Sequence, residues 1–156
     1  MKRFLLLPLT FVIVFVTAAS PAPQKHQIAN IKNKRIPDGC GCYFQFVGPK
    51  HGGAEDYMFF TSVEEEAEKI GWVNVDGRDV KLSLVSKTDP KGSERVGSRS
   101  TRKYVGPGIV LESTYVATRV CRRNDENCES TDYAATFKIT VQGEVQIIRG
   151  RGGCGC

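Results

Sequence analysis

Histidine is nearly missing from this chain: two in 156 residues, His26 and His51. Methionine is as rare, and there is one tryptophan. Metal centres built on imidazole and nucleophile–histidine arrangements therefore have little to work with. His51 sits in the turn sequence GPKHGG with no serine, cysteine or acid placed beside it as a partner. His26 sits in a polar stretch. GPGIV at 106–110 is a turn and not a phosphate loop, because no Gly-Lys-Ser/Thr follows. After residue 16 no apolar run is long enough to span a bilayer, which takes about 20 residues. There is no internal repeat, and helical periodicity is confined to one short stretch. These absences leave no catalytic residue to name, no metal site and no cofactor.

The front end is informative. Lys2 and Arg3 precede an apolar run from Phe4 to Val16, and Thr17 and Ala19 are the small residues that a cut after Ala19 requires. This is the pattern of a secretory signal peptide over 1–19. No cysteine follows the run, so a lipid-modified terminus is not expected. The mature chain has about 137 residues, enough for one domain with a real core. Its formal charge falls from +5 to +3 when Lys2 and Arg3 leave, too little to argue for nucleic acid. The distribution is uneven: 38–79 carries nine acids and three bases, 80–123 three acids and ten bases.

Residues 20–39, SPAPQKHQIANIKNKRIPDG, read as a flexible linker, being proline-bearing, polar and without periodicity. From 40 to 156 the pattern is one β domain. Eight strands are expected: 40–47, 56–61, 72–75, 78–87, 99–105, 109–123, 129–141 and 144–151. Asp76-Gly77 is a hairpin turn. Val80, Leu82 and Leu84 alternate with polar residues, as do Tyr133, Ala135, Phe137, Ile139 and Val141, so each set faces inward. Trp72, Tyr104, Tyr115 and Tyr133 are expected in the interior or lining a groove. One short helix is expected near 63–70, with Ser62 and Glu65 as a capping box and Gly71 as the stop. Sequential hairpins argue for an antiparallel meander, and eight strands can close as a small barrel. A two-sheet sandwich is the alternative.

Six cysteines stand at 40, 42, 121, 128, 154 and 156. An even set in an exported chain is read as disulfides. Cys121 and Cys128 flank a loop tip between two long strands. The Cys-Gly-Cys pairs place two sulfurs on one face of the first strand and two on one face of the last. If those strands are antiparallel neighbours, Cys40 meets Cys156 and Cys42 meets Cys154. The competing readings are a thiolate metal site and a strained redox disulfide within each pair.

The expected function is an exported, non-enzymatic β-barrel module, binding or structural, such as an inhibitor or a surface-interaction protein, secreted or periplasmic. The alternative is a metal-binding or thiol-redox protein using the Cys-Gly-Cys pairs. Arg119, Arg122 and Arg123 are the candidate contacts for an acidic partner, and Glu64, Glu65, Glu66 and Glu68 for a basic one. The expected partner is a protein or a small ligand, with no nucleic acid, no membrane span after signal removal, and a monomeric state.

Overall fold

A computed structural model describes residues 25–36, 39–48, 56–62, 69–121 and 128–155. Nine strands follow in chain order: β1 Ile28–Ala29, β2 Gly41–Phe46, β3 Phe59–Ser62, β4 Ile70–Val75, β5 Arg78–Thr88, β6 Arg99–Gly106, β7 Ile109–Arg119, β8 Ser130–Val141 and β9 Glu144–Gly155. From β2 to β9 every strand pairs antiparallel with its sequence neighbour, and β9 pairs back onto β2. The result is a closed eight-stranded meander. The sandwich alternative is overturned, because one unbroken ladder runs round the ring and leaves no second sheet.

The interior follows from period-two alternation. Ile109, Leu111, Tyr115 and Ala117 of β7 and Tyr133, Ala135, Phe137, Ile139 and Val141 of β8 are all buried. Leu82 is buried too, with Val80 and Leu84 packed against the same core. Phe44, Phe59 and Phe137 meet at ring separations of 5.3–6.3 Å and fill the middle, as an eight-stranded barrel requires. Trp72 departs from the expectation. It lies on the outer face, opposite Phe60 and Lys81, while Val73 points inward.

Three expectations need correction. Among the described residues there is no helix, and Ile70 opens β4 instead of closing a helix. It pairs with Ser83, and the Lys69 carbonyl accepts from the Leu84 amide at 2.7 Å. The run Ile-Gly-Trp-Val-Asn-Val has the β-branched and aromatic content of a strand, and the ladder to β5 claims it. Residues 63–68 lie outside the described residues. Strand β7 ends at Arg119, four residues before the expected end, and β9 continues past Arg151 to Gly155. Finally, 25–36 does not behave as a free linker. β1 adds to β4, Ile31 is 3 % exposed, and its amide donates to the Tyr57 carbonyl at 2.7 Å.

Register makes the two ends of the barrel unlike. One end carries tight turns at 76–77, 107–108 and 142–143; Asp76-Gly77 and Gln142-Gly143 both hold positive φ at both positions, as a two-residue hairpin turn demands. The 25–31 strap crosses this end, where Gln146 Nε2 donates to the His26 carbonyl at 2.6 Å and His26 Nδ1 lies 2.7 Å from Asp76 Oδ2. The opposite end carries Cys42, Cys154 and the β3–β4, β5–β6 and β7–β8 connections.

The seam between β2 and β9 is built from glycine. A Cβ at Gly152 would lie 1.8 Å from the Tyr43 carbonyl oxygen of β2, and one at Gly150 would lie 3.0 Å from that of Gln45. Gly152→Ala is expected to cost about 2–4 kcal/mol, the scale of overpacking against rigid backbone. Gly153→Ala, whose nearest neighbour is at 3.1 Å, should cost clearly less. Urea midpoints at unchanged slope check this, and equal costs would show that the seam tolerates side chains.

The strap has an acid-sensitive anchor. Burial works against the Asp79 charge, but hydrogen bonds from Asn74 Nδ2 and from the Lys32 and Asn33 amides outweigh it and hold the carboxyl below its usual value of 3.8. A depressed carboxylate stabilises above its unfolded pKa and loses that contribution as pH falls through the folded one. The Lys32 and Asn33 amide resonances should therefore shift toward random-coil positions only below pH 3.8, well before the core strands respond.

Candidate binding site at the disulfide end

Above the phenylalanine layer the inward residues change character. Ser100, Arg102 and Tyr104 come from β6, Ser113 and Tyr115 from β7, and Tyr133 from β8. With Thr61, Ser62 and the Cys42–Cys154 bridge, most of these side chains enclose a cavity of about 150 Å³. Tyr115 stacks on Phe44 with rings 4.6 Å apart and planes 19° from parallel, so the tyrosine layer rests on the apolar core.

Two carboxylates from the connection between β5 and β6 reach over this end. Arg102, half-buried, pairs with Asp89 at 2.5 Å and donates to the Thr88 and Thr101 carbonyls at 3.3 and 3.0 Å. The Tyr133 hydroxyl donates to both Glu94 carboxylate oxygens at 2.9 Å. The far part of the same connection is held by Gly97 N to Ala117 O at 2.8 Å and Ala117 N to Ser98 O at 2.9 Å. Burial, reinforced by the hydrogen bond and charge of Glu94, raises Tyr133 far above the ordinary phenol range. Burial raises Tyr115 likewise, with Tyr104 adding to it. The Tyr115 hydroxyl is buried and makes no hydrogen bond among the described residues. The Ser113 hydroxyl, which acts on it, turns to the Arg102 carbonyl at 3.5 Å. Both phenols are thus donors and not bases at physiological pH.

The disulfides stand as the strand geometry requires. Cys42 and Cys154 are opposite in the β2–β9 ladder, with Cα atoms 4.0 Å apart, and are bonded. Cys121 and Cys128 are bonded across a Cα separation of 5.4 Å. Cys40 is disulfide-bonded as well, and Cys156, its expected partner, lies outside the described residues. Sulfurs committed to these bonds are not metal ligands, and among the described residues no three or more histidine, cysteine or acidic side chains cluster for a cation.

The predicted contact residues fare differently. Arg119 is turned onto its own scaffold: Nε and Nη2 grip Asp132 at 2.6 and 3.1 Å, and Nη1 donates to Cys128 Sγ at 3.3 Å. Arg122, Arg123, Glu64, Glu65, Glu66, Glu68 and His51 lie outside the described residues. What sequence reasoning missed was Arg102 with Asp89 and Tyr133 with Glu94. One signal was present: in Arg99–Val105 the parity that points Tyr104 inward also points Ser100 and Arg102 inward. Comparison with protein-family models, with curated proteins and with solved structures finds no match for this chain.

The 42–154 bridge closes a separation of 112 residues, which on the chain-entropy model is worth about 4–5 kcal/mol. Because Cys40 is also bonded, Cys42→Ala/Cys154→Ala should cost much less than full reduction. Denaturant unfolding of the variant, the native protein and the reduced protein checks the order. Peptide mass mapping should join 42 to 154 and 121 to 128.

Proposed function

We propose that this protein is an exported, non-enzymatic binding module that takes a small uncharged molecule at its disulfide end. The observation that carries the reading is the enclosed tyrosine-walled cavity of about 150 Å³ in an otherwise filled barrel. It has room for roughly five waters and lies below the size of pockets that hold drug-sized ligands. Its charges are already matched, Arg102 by Asp89 and the Tyr133 hydroxyl by the Glu94 carboxylate. An ion entering would lose its hydration and find no free counter-charge. A neutral molecule would gain aromatic walls and phenolic donors. Phenols held protonated, with no nucleophile–base pair beside them, favour holding a ligand over transforming one. Disulfide bonding favours an oxidising compartment outside the cytoplasm.

Phenol is a suitable probe, being small, aromatic, neutral and able to hydrogen-bond. Titrating it into isotope-labelled mature protein should move the amides of 100–104, 115 and 133 saturably and leave the turns at 76–77 and 142–143 in place. Benzoate, of similar size but charged, should bind at least about tenfold more weakly, the worth of roughly 1.4 kcal/mol. Absence of saturable shifts at the cavity, or benzoate binding as tightly as phenol, overturns the reading.

A further inference from the structure

The outer wall of β6 to β9 carries a second feature, on the other face of the sheet from the cavity, with Tyr133 bordering both. Register aligns Arg99, Val116, Ala134 and Arg151 in one cross-strand row, and Thr101, Thr114, Thr136 and Arg149 in the next. With strands about 4.8 Å apart, β6 and β9 stand roughly 14 Å from one another along these rows. Small side chains on β7 and β8 thus form a floor, with guanidinium groups on both banks. Arg99 and Arg149 border one concavity of about 370 Å³. Arg151 borders a second, of about 490 Å³, whose far side is Tyr43 and Tyr57, with rings 5.0 Å apart. Gly152 and Gly153 of the seam floor the second concavity and keep it free of side chains.

Charge on this wall is not balanced. Lys103 and Lys138 share Glu112, and Arg119 holds Asp132. Arg99, Arg149 and Arg151 are exposed, and none has an ion-pair or side-chain hydrogen-bond partner among the described residues. Guanidinium groups without an internal partner match carboxylate or sulfate bidentately. The form of the partner follows from the pairing under the trough. An extended peptide binds a sheet by adding a strand to a free edge, and β7 and β8, along which the trough runs, are paired on both sides. Recognition must then use side chains alone: guanidinium for anionic groups, threonine hydroxyls for hydroxyls, and the tyrosine pair as a face for a ring.

We propose that this wall binds an acidic polysaccharide, an extended hydroxyl-rich chain bearing carboxylate or sulfate groups. The trough runs along β7 and β8, and two to three anionic groups of the chain meet Arg99, Arg149 and Arg151.

The test uses full-length mature protein and four probes: a hexamer of galacturonic acid, a heparin-derived hexasaccharide, poly-L-glutamate and an oligo-dT, titrated at equal ionic strength. The wild-type protein should bind at least one hexasaccharide more tightly than poly-L-glutamate or oligo-dT, and which hexamer wins distinguishes carboxylate from sulfate. Arg149→Gln/Arg151→Gln should weaken hexasaccharide binding about tenfold. Arg78→Gln/Lys81→Gln, which removes equal charge from the stretch of β5 that pairs with β4, outside the trough, should change it less than about twofold. Thr114→Val/Thr136→Val, compatible with strand surface, should weaken the hexasaccharide about threefold and leave poly-L-glutamate unchanged. Equal losses from the two charge pairs would reduce the surface to diffuse attraction and overturn the proposal. So would tighter binding of poly-L-glutamate or oligo-dT, or no binding of either hexasaccharide by the wild-type protein.

Discussion

Everything in this barrel depends on β2 and β9 coming close enough to pair. Seven of the eight junctions join strands that are neighbours in sequence, so short connections bring them together. The eighth joins the two ends of the domain, where loop-closure entropy opposes contact most. The chain answers with two devices at the same place. Glycine at 152 lets the backbones approach to a distance that any Cβ would forbid. The bond between Cys42 and Cys154 then makes the approach permanent. Neither device serves alone: the bridge needs its Cα atoms opposed, and glycine, with no side chain to bury, contributes little cohesion of its own.

Closure at the seam also divides the labour between the two ends. Tight turns and the strap occupy one end, and the strap's backbone amides are satisfied by Asp76 and Asp79. The other end holds the 42–154 and 121–128 bridges, the tyrosine layer and the connection that brings Asp89 and Glu94 over it. The polar groups there are costly to bury unless paired, and most are paired. What is left over is the cavity, and the cavity is why this end is read as the working one. The outer trough uses the same seam differently, because Gly152, which permits the close approach, and Gly153 beside it also bare the wall.

Much of this architecture could be read from the chain. The alternation in Tyr133–Val141 and in Val80–Leu84 named core positions, with the β8 set and Leu82 buried and Val80 and Leu84 packed against them, because period-two patterning has one physical meaning in a strand. The Cys-Gly-Cys spacing implied the 42–154 pairing through strand parity. Where reading failed, a local signal competed with a distant partner. Ser62 to Gly71 has helix-capping chemistry, yet Ile70 belongs to a ladder whose other half is Ser83. Residues 25–36 look like a linker because their partners, Tyr57, Asp76 and Asp79, lie far along the chain. The site was less legible still. Arg102 is basic in a basic stretch; the parity of Tyr104 turns it inward, but nothing local says that Asp89 meets its guanidinium there. Arg119 looked available until Asp132 was placed opposite it.

The covalent seam has a mechanical consequence. The strands that begin and end the barrel are adjacent, antiparallel and bonded near their outer ends, so the chain enters and leaves at one place. Tension applied through the segments before Cys40 and after Gly155 would first peel the strap from β4 and Asp79. It would then meet a sulfur–sulfur bond and pass through it, leaving the hydrogen-bonded staves unloaded. The barrel would behave as a rigid bead on a string, carrying force past its contents without opening.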